Sequence, residues 1–294
     1  MLKKNIQFAA LALLTCIGCT PKAHQDYIQE TKVALENGQS KEAEVLIKQA
    51  MSEEPTSELR LLLTEVYLLN GNIIGAKQQL EKVDIEALTP SEQSKAESLN
   101  AHIAILSFDS SFQRLIDKNS TCRDCMLAEA WSSVALSNSI DLERIEGDTA
   151  VFSVFEAFNS NTLTSLDVSP LIDNSTSDIE LLVMGDLLRR SNNIDGMITV
   201  YNAYKKNNPN VLNINLPLAQ ALLVNNDFKK AKELVTPVLA RFSKNPMANY
   251  LNSLILLSEN KHDEAYSAIS LADTYGIDMP SVSFTTGLSE FNYQ

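Results

Sequence analysis

The segment Cys122-Arg123-Asp124-Cys125 combines residue types and a spacing that suggest covalent chemistry. A thioredoxin-type C-x-x-C pair follows a strand and opens a helix, but residues 115–121 do not alternate like a strand. A structural zinc site needs four ligands, and no histidine is near this pair in the sequence. The pair therefore predicts a local Cys122–Cys125 disulfide that staples a loop to the next helix in an oxidising compartment. Reduced structural thiols, redox activity and a metal site stay open as alternatives.

Other residue types that commonly act in catalysis are sparse. The three histidines, His24, His102 and His262, are far apart, and the last two fall at positions that predict packing between helices. The sequence contains no G-x-S-x-G, H-E-x-x-H or Walker phosphate loop. The formal net charge of −13 argues against binding to nucleic acid or electrostatic attachment to anionic lipid. These features predict a protein that is not an enzyme and uses no cofactor and no metal.

The N-terminus has the features of a signal sequence. A basic start at Lys3 and Lys4 precedes an apolar stretch that is too short to span a bilayer as a mature helix. The stretch ends at Gly18-Cys19, which resembles a bacterial lipoprotein signal, although Cys16 stands where such signals usually have Leu or Val. The resemblance implies lipidation of Cys19 after cleavage. An ordinary secretory signal or a retained membrane anchor are the alternatives.

The lipoprotein resemblance also implies where the chain is located. It places a signal peptide at residues 1–18 and a lipidated tether at residues 19–26. Thr20 follows the lipidated position, whereas Asp at that position retains enterobacterial lipoproteins in the inner membrane. We therefore expect a periplasm-facing lipoprotein of the cell envelope, in the outer membrane rather than the inner, that contacts the membrane only through its N-terminal lipid.

Small and apolar residues recur every 34 positions in the C-terminal part of the chain. The small residues are Gly185, Ala219, Ser253 and Gly287, and the apolar series are Leu188, Leu222 and Leu256, then Met197, Ala231 and Ala265. The N-terminal part repeats at 33 positions, where Asn37-Gly38 returns as Asn70-Gly71 and Ala43 returns as Ala76. A period of this length indicates stacked helix pairs.

This pattern resembles the tetratricopeptide repeat, whose eighth residue is small so that paired helices can approach. It predicts an all-α fold, an α-solenoid of tetratricopeptide-like helix pairs in a superhelical array. The organisation follows from the repeats: N-terminal repeats at 27–90, degenerate helical repeats with an irregular loop at 91–176, and C-terminal repeats at 177–294. In the degenerate part, a helix at 91–106 is expected to pair with one around Phe112 and Ile116, and residues 159–177 are expected to be a long loop or a break between two sub-arrays.

The last repeat is predicted to be incomplete. Residues 280–294 supply the first helix of a new repeat, without a second helix. Either this helix caps the array, or Gln294 is not the natural C-terminus. An uncovered stripe of Phe284, Leu288 and Phe291 is expected to be a site of self-association.

Tetratricopeptide arrays bind partners in an inner groove that is lined by the first helix of each pair. The resemblance implies groove positions that include Leu216 and Met247, and it places the following residues at the partner-binding surface: Asp186, Arg189, Arg190, Asn213, Gln220, Leu223, Tyr250 and Leu254. Adjacent guanidinium groups at Arg189 and Arg190 suit a carboxylate or a peptide C-terminus. A solvated helix end with favourable dipole pairing is the alternative.

The combined pattern resembles the tetratricopeptide-repeat lipoproteins of the exosortase (PEP-CTERM) system. The resemblance rests on the signal ending at Cys19 and on the segments KVALENGQSKEAEVLIKQAMSEEP, SELRLLLTEVYLLNGNIIGAKQQLEKV and MANYLNSLILLSENKHDEAYSAISLA. It implies a scaffold for a protein or peptide partner in exopolysaccharide export and protein sorting. The alternatives are a pilotin or outer-membrane-assembly lipoprotein, or a periplasmic thiol-disulfide factor that uses Cys122 and Cys125.

Overall fold

A computed structural model describes residues 24–116, 121–135, 145 and 150–275. Within these ranges the chain forms thirteen α-helices and no strand. The helices are α1 (His24–Glu36), α2 (Ser40–Glu53), α3 (Ser57–Leu69), α4 (Ile73–Leu80), α5 (Pro90–Leu106), α6 (Arg123–Ala135), α7 (Ala150–Asn159), α8 (Asp178–Arg190), α9 (Ile194–Asn207), α10 (Asn215–Val224), α11 (Phe228–Arg241), α12 (Pro246–Ser258) and α13 (His262–Thr274). None of the helices in the described part of the chain is long and apolar enough to cross a membrane.

Ten of these helices form five antiparallel pairs: α1 with α2, α3 with α4, α8 with α9, α10 with α11, and α12 with α13. Neighbouring pairs also pack on each other, so that each helix buries a face that it could not bury alone. This arrangement confirms the all-α solenoid of tetratricopeptide-like helix pairs. The predicted Cys19 tether and the predicted helix at 280–294 lie outside the described residues.

The same tight turn joins the helices of every pair. One residue of the turn has a left-handed backbone conformation, and the next amide donates a hydrogen bond to the carbonyl five residues back, for example Gln39 to Ala34 at 2.8 Å. The left-handed residues are Gly38, Gly71, Asn192, Asn226 and Asn260. Glycine and asparagine tolerate this conformation best. The spacing of the three asparagines repeats the 34-residue period, a signal that was available in the sequence.

The small residues predicted for the eighth repeat position lie where paired helices meet. Thr31, Thr64, Ala219 and Ser253 have no exposed surface. At Gly185, an added Cβ would lie 2.2 Å from Cε1 of Tyr201, whose ring is buried in the partner helix α9. The close approach of α8 and α9 therefore requires glycine at this position.

A Gly185→Ala variant is expected to lose about 1–3 kcal/mol of unfolding free energy, because the buried Tyr201 ring must move to admit a methyl group. Chemical denaturation measures this loss. Ser253→Ala is the matched control, since it places at the equivalent position the residue that Ala219 already supplies; it removes one hydroxyl hydrogen bond to the Tyr250 carbonyl and should cost no more than about 1 kcal/mol. Equal stability of Gly185→Ala and the native chain would contradict the close packing described.

The degenerate centre differs from the expected helix pairs. Helix α5 ends in the same left-handed turn, at Phe108, but residues 107–116 form no helix, so the predicted partner around Phe112 and Ile116 is wrong. Tertiary contacts hold this segment instead: Nε of Arg114 lies 2.7 Å from a carboxylate oxygen of Glu129 on α6. Interactions with α6 therefore replace the hydrogen bonds that a second helix would have made.

The segment between α7 and α8 is irregular, as predicted, but it does not separate two sub-arrays. It contains two short 3-10 turns, Leu163–Ser165 and Ser169–Leu171, and the side chains of Leu163 and Val168 are buried. The side-chain amide of Asn193 donates to the carbonyls of Leu163 and Leu166 at 2.8 and 2.9 Å. The loop is therefore packed into the core beside α9, and α8 also contacts α5 and α6 directly.

The turn between α3 and α4 and helix α5 also contact the C-terminal helix pairs. Gly71, in the turn between α3 and α4, approaches the backbone of Asn210 so closely that a Cβ would lie 2.2 Å from its carbonyl oxygen. The Arg241 guanidinium donates to the carbonyl of Asn70 at 3.2 Å. His102 of α5 is hydrogen-bonded to the Tyr204 hydroxyl of α9 at 3.1 Å, and burial lowers the pKa of this histidine. The described helices thus curve into a compact superhelix.

Candidate functional site

A cleft of about 440 Å³ opens on the side of the array where α5, α8, α10, α11 and α12 converge. Its lining is mostly apolar. The apolar residues, here called the floor, are Leu106, Phe108, Leu212, Leu216, Pro217, Val238, Phe242 and Met247, and the polar residues, here called the rim, are Ser107, Arg189, Asn213, Gln220 and Asn245. Arg189 is the only charged residue among these lining residues, although the chain as a whole carries −13.

The turn after α5 lines the cleft, and a contact with the segment that precedes α10 holds it in position. The side-chain amide of Asn213 donates to the carbonyl of Leu106 at 3.1 Å, across 107 positions of sequence. The left-handed conformation of Phe108 turns the chain at this point and leaves its ring partly exposed. The Arg189 guanidinium lies over that ring, 5.6 Å from the centroid.

The end of α11 and the start of α12 also line the cleft. Phe242 follows the last residue of α11 and keeps 43% of its surface exposed. Asn245 caps α12 by accepting a hydrogen bond from the Ala248 amide at 2.9 Å. Its side-chain oxygen is therefore engaged by the helix end, whereas Gln220 is exposed at the rim.

The predicted groove residues divide into two sets. Arg189, Asn213 and Gln220 line the cleft, together with Leu216 and Met247. The structure places the others elsewhere: Leu223, Tyr250 and Leu254 are half-buried outside the cleft lining, and Arg190 extends from the end of α8. The cleft therefore coincides with the predicted groove at α10 but not along α12.

Asp186 is not on the groove surface, which corrects its predicted placement. Its side chain has no exposed surface. One carboxylate oxygen accepts from Nε of Arg189 at 2.9 Å, and the other accepts from Nε of Arg190 at 2.7 Å and from Nε1 of Trp131 at 2.8 Å. Arg189 and Arg190 were expected to bind a carboxylate of a partner. In the structure, Asp186 of the same helix already pairs with both of them.

Two aromatic residues of the cleft, Phe108 and Phe242, were not predicted as site residues. Both follow the end of a helix, where repeat positions give no information on side-chain direction. Their exposure is the signal that identifies them, since large apolar side chains at a surface mark interaction sites when they cluster. The sequence alone does not reveal that residues 108 and 242 line one cleft.

Cys122 and Cys125 are joined as a disulfide across the first turn of α6, with their Cα atoms 5.3 Å apart. The buried carboxylate of Glu97, on α5, lies beside the disulfide. Its Oε2 is 3.2 Å from Sγ of Cys125. The possible ligand atoms of these three residues lie within 4.8 Å of one another. Three ligands do not complete a structural zinc site, which uses four.

Neither a protein-family model nor a curated protein matches the sequence of this chain. Among solved structures, it is similar to a tetratricopeptide repeat protein from Parabacteroides merdae, with 15% identity over 91% of this chain and 98% of that one and a TM-score of 0.39. It is also similar to a chain of the APC/C hetero-tetramer Cut9–Hcn1, with 12% identity over 92% of this chain and 70% of that one and a TM-score of 0.33. The fold assignment rests on the helix pairs described above.

Proposed function

We propose that this protein is a non-enzymatic interaction scaffold that binds a peptide segment of a partner protein in the cleft at α10. The observation that carries the proposal is the lining of that cleft, which combines an apolar floor with a single charged residue, Arg189. An apolar surface of this kind gains free energy when a partner covers it. The polar rim then orients the partner.

The ligand class follows from the charges. Arg189 shares the Asp186 carboxylate with Arg190, so two guanidinium groups face one carboxylate and a net positive charge remains. No acidic residue lines the cleft among the described residues. We therefore expect the bound segment to place an apolar side chain on the floor near Phe242 and a carboxylate near Arg189, either an acidic residue or a peptide C-terminus.

The proposal extends to the location of the scaffold. A lipid on Cys19 would tether the protein to the cell envelope, in the outer membrane rather than the inner, and residues 280–294 would offer a surface to a second copy. The resemblance to exosortase-system lipoproteins favours a role in exopolysaccharide export and protein sorting. Mass spectrometry of the mature protein tests the tether: a diacyl- or triacyl-glyceryl Cys19 terminus supports it, and an unmodified terminus in the soluble fraction contradicts it.

A binding experiment tests the cleft. Peptides selected against the full chain from a display library with free C-termini are expected to combine an apolar residue with a carboxylate. Phe242→Glu should weaken their binding at least tenfold, because it places a charge on the apolar floor. Isothermal titration calorimetry measures the dissociation constants.

Ile74→Glu is the matched control, since it makes the same kind of change on α4 at a residue that is 70% exposed and outside the cleft. Its dissociation constants should stay within twofold of those of the native chain. Equal losses in both variants, or none in Phe242→Glu, would show that the selected peptides bind elsewhere.

A further inference from the structure

The Glu97 carboxylate is almost fully buried and faces the disulfide. Its side chain projects from α5 with 1% of the residue exposed. Oε1 accepts a hydrogen bond from the Ile116 amide at 2.6 Å, and Oε2 lies 3.2 Å from Sγ of Cys125. A disulfide sulfur carries no proton, so in the oxidised protein this contact gives Oε2 no hydrogen bond. A buried acceptor without a donor is costly.

Reduction of the disulfide would provide the missing donor. A Cys125 thiol at the observed position would direct its S–H at Oε2 of Glu97. The backbone need not change, because the disulfide spans a single helical turn whose amide–carbonyl hydrogen bond from Met126 to Cys122 does not depend on the S–S bond. The fold therefore accommodates both the oxidised and the reduced pair.

The environments of the two sulfurs differ in a way that suits thiol–disulfide exchange. Cys122 directly precedes α6, and its Sγ accepts a hydrogen bond from the Cys125 amide at 3.3 Å. A helix N-terminus stabilises a thiolate at such a position. Cys122 also retains 7% of its surface, whereas Cys125 is fully buried. Of the two cysteines, Cys122 is therefore the one that is open to attack by an external reagent without displacing α5.

We propose that Cys122 and Cys125 form an exchangeable redox couple for an external disulfide, with Glu97 as the proton acceptor of the buried cysteine. The Cys122 thiolate attacks the external disulfide R–S–S–R, a mixed disulfide forms at Cys122, and one thiolate leaves. Glu97 then takes the proton from Cys125, whose sulfur attacks Sγ of Cys122 and expels the second thiolate. The two thiolates collect the two protons that the cysteines lose. The protein dithiol is oxidised to the disulfide, and R–S–S–R is reduced to two R–SH; an external dithiol reverses the reaction.

The test follows reoxidation of the reduced, folded full chain by oxidised glutathione, with acid quenching and peptide-level mass spectrometry of Cys122 and Cys125. The native protein should form its disulfide with little mixed disulfide present at any time. Glu97→Gln should slow the second step at least tenfold, so that glutathionylated Cys122 accumulates. Circular dichroism verifies that the reduced proteins remain folded.

Asp124→Asn is the matched control, because it removes a neighbouring negative charge whose carboxylate is hydrogen-bonded to Ser98 rather than in contact with a sulfur. Its second step should stay within about threefold of the native rate. Cys125→Ser should trap the glutathione adduct on Cys122, whereas Cys122→Ser should leave the buried Cys125 unmodified. This pair of variants keeps the test valid if Glu97→Gln fails to fold.

Three results would overturn the proposal: a reduced, folded protein whose Cys122 does not react with oxidised glutathione, a Glu97→Gln variant that resolves the mixed disulfide at the native rate, or reduction that occurs only when the chain unfolds. Stoichiometric binding of Zn²⁺ by the reduced chain that blocks the reaction would likewise overturn it, since Glu97 and the two cysteines would then be metal ligands.

Discussion

Replacing Trp131 with alanine is expected to lower the unfolding free energy by about 4 kcal/mol, the largest effect of any single substitution considered. Trp131 is the only tryptophan of the chain, and it has no exposed surface. It lies on α6, which packs directly on α8, and its Nε1 donates to the Asp186 carboxylate at 2.8 Å. Truncation therefore leaves a large cavity and also removes a hydrogen-bond donor from a buried carboxylate.

Chemical denaturation followed by circular dichroism measures this loss, since fluorescence of the single tryptophan disappears in the variant. Trp131→Phe is the informative control because it keeps most of the buried volume but removes the indole N–H. It should lose about 1–2 kcal/mol, because one hydrogen bond to the buried Asp186 carboxylate is lost and the smaller ring fills less of the site, while Arg189 and Arg190 still donate to Asp186. A loss below about 1 kcal/mol for Trp131→Ala would mean that α6 does not pack on α8 as described.

Asp186→Ala is expected to lose about 3 kcal/mol of unfolding free energy. The substitution removes the shared acceptor of Trp131, Arg189 and Arg190 and leaves the indole N–H without its partner. The figure is at the lower end of the range for buried ion pairs because both arginine side chains reach solvent, with 39% and 30% of their surfaces exposed, and can be hydrated when Asp186 is absent.

A control variant and a double-mutant cycle test whether the loss in Asp186→Ala comes from its buried contacts. Asp273→Ala, in the exposed last turn of α13, should change stability by less than about 0.5 kcal/mol. In a double-mutant cycle, Asp186→Ala and Trp131→Phe should show a coupling of at least about 1 kcal/mol, because they share one hydrogen bond. Additive losses would show that the Trp131–Asp186 contact contributes nothing to stability.

Much of the fold was predictable because a repeat array is held together mainly by contacts between neighbouring units. The small residues Gly185, Ala219 and Ser253 recur every 34 positions, and so do the left-handed residues Asn192, Asn226 and Asn260. The small residue and the left-handed turn residue are each required by contacts within about one repeat, so the sequence period is enough to predict them. The central segments 107–116 and 162–176 lack a strict period, and there the expected partner helix around Phe112 was wrong.

The repeat period predicted some of the site residues correctly and misplaced others. Asn213 and Gln220 were predicted from the groove positions of a first helix, and both line the cleft, although Asn213 lies in the loop before α10. Asp186 sits at an equivalent position, yet its carboxylate is buried because Trp131 of the irregular α6 covers it. Repeat position predicts which side of a helix a residue occupies, but not what packs on that side.

The sequence by itself determined the helix pairs, the turns between them and the small residues at their contacts, because these features depend on residues no more than one repeat apart. Only the tertiary structure brought Leu106 beside Asn213, placed Phe108 and Phe242 in one cleft, and set Glu97 against Cys125. Such contacts join segments that are far apart in the chain. Their geometry depends on how every intervening helix and irregular segment packs on the next one. A local sequence pattern does not determine those packing angles.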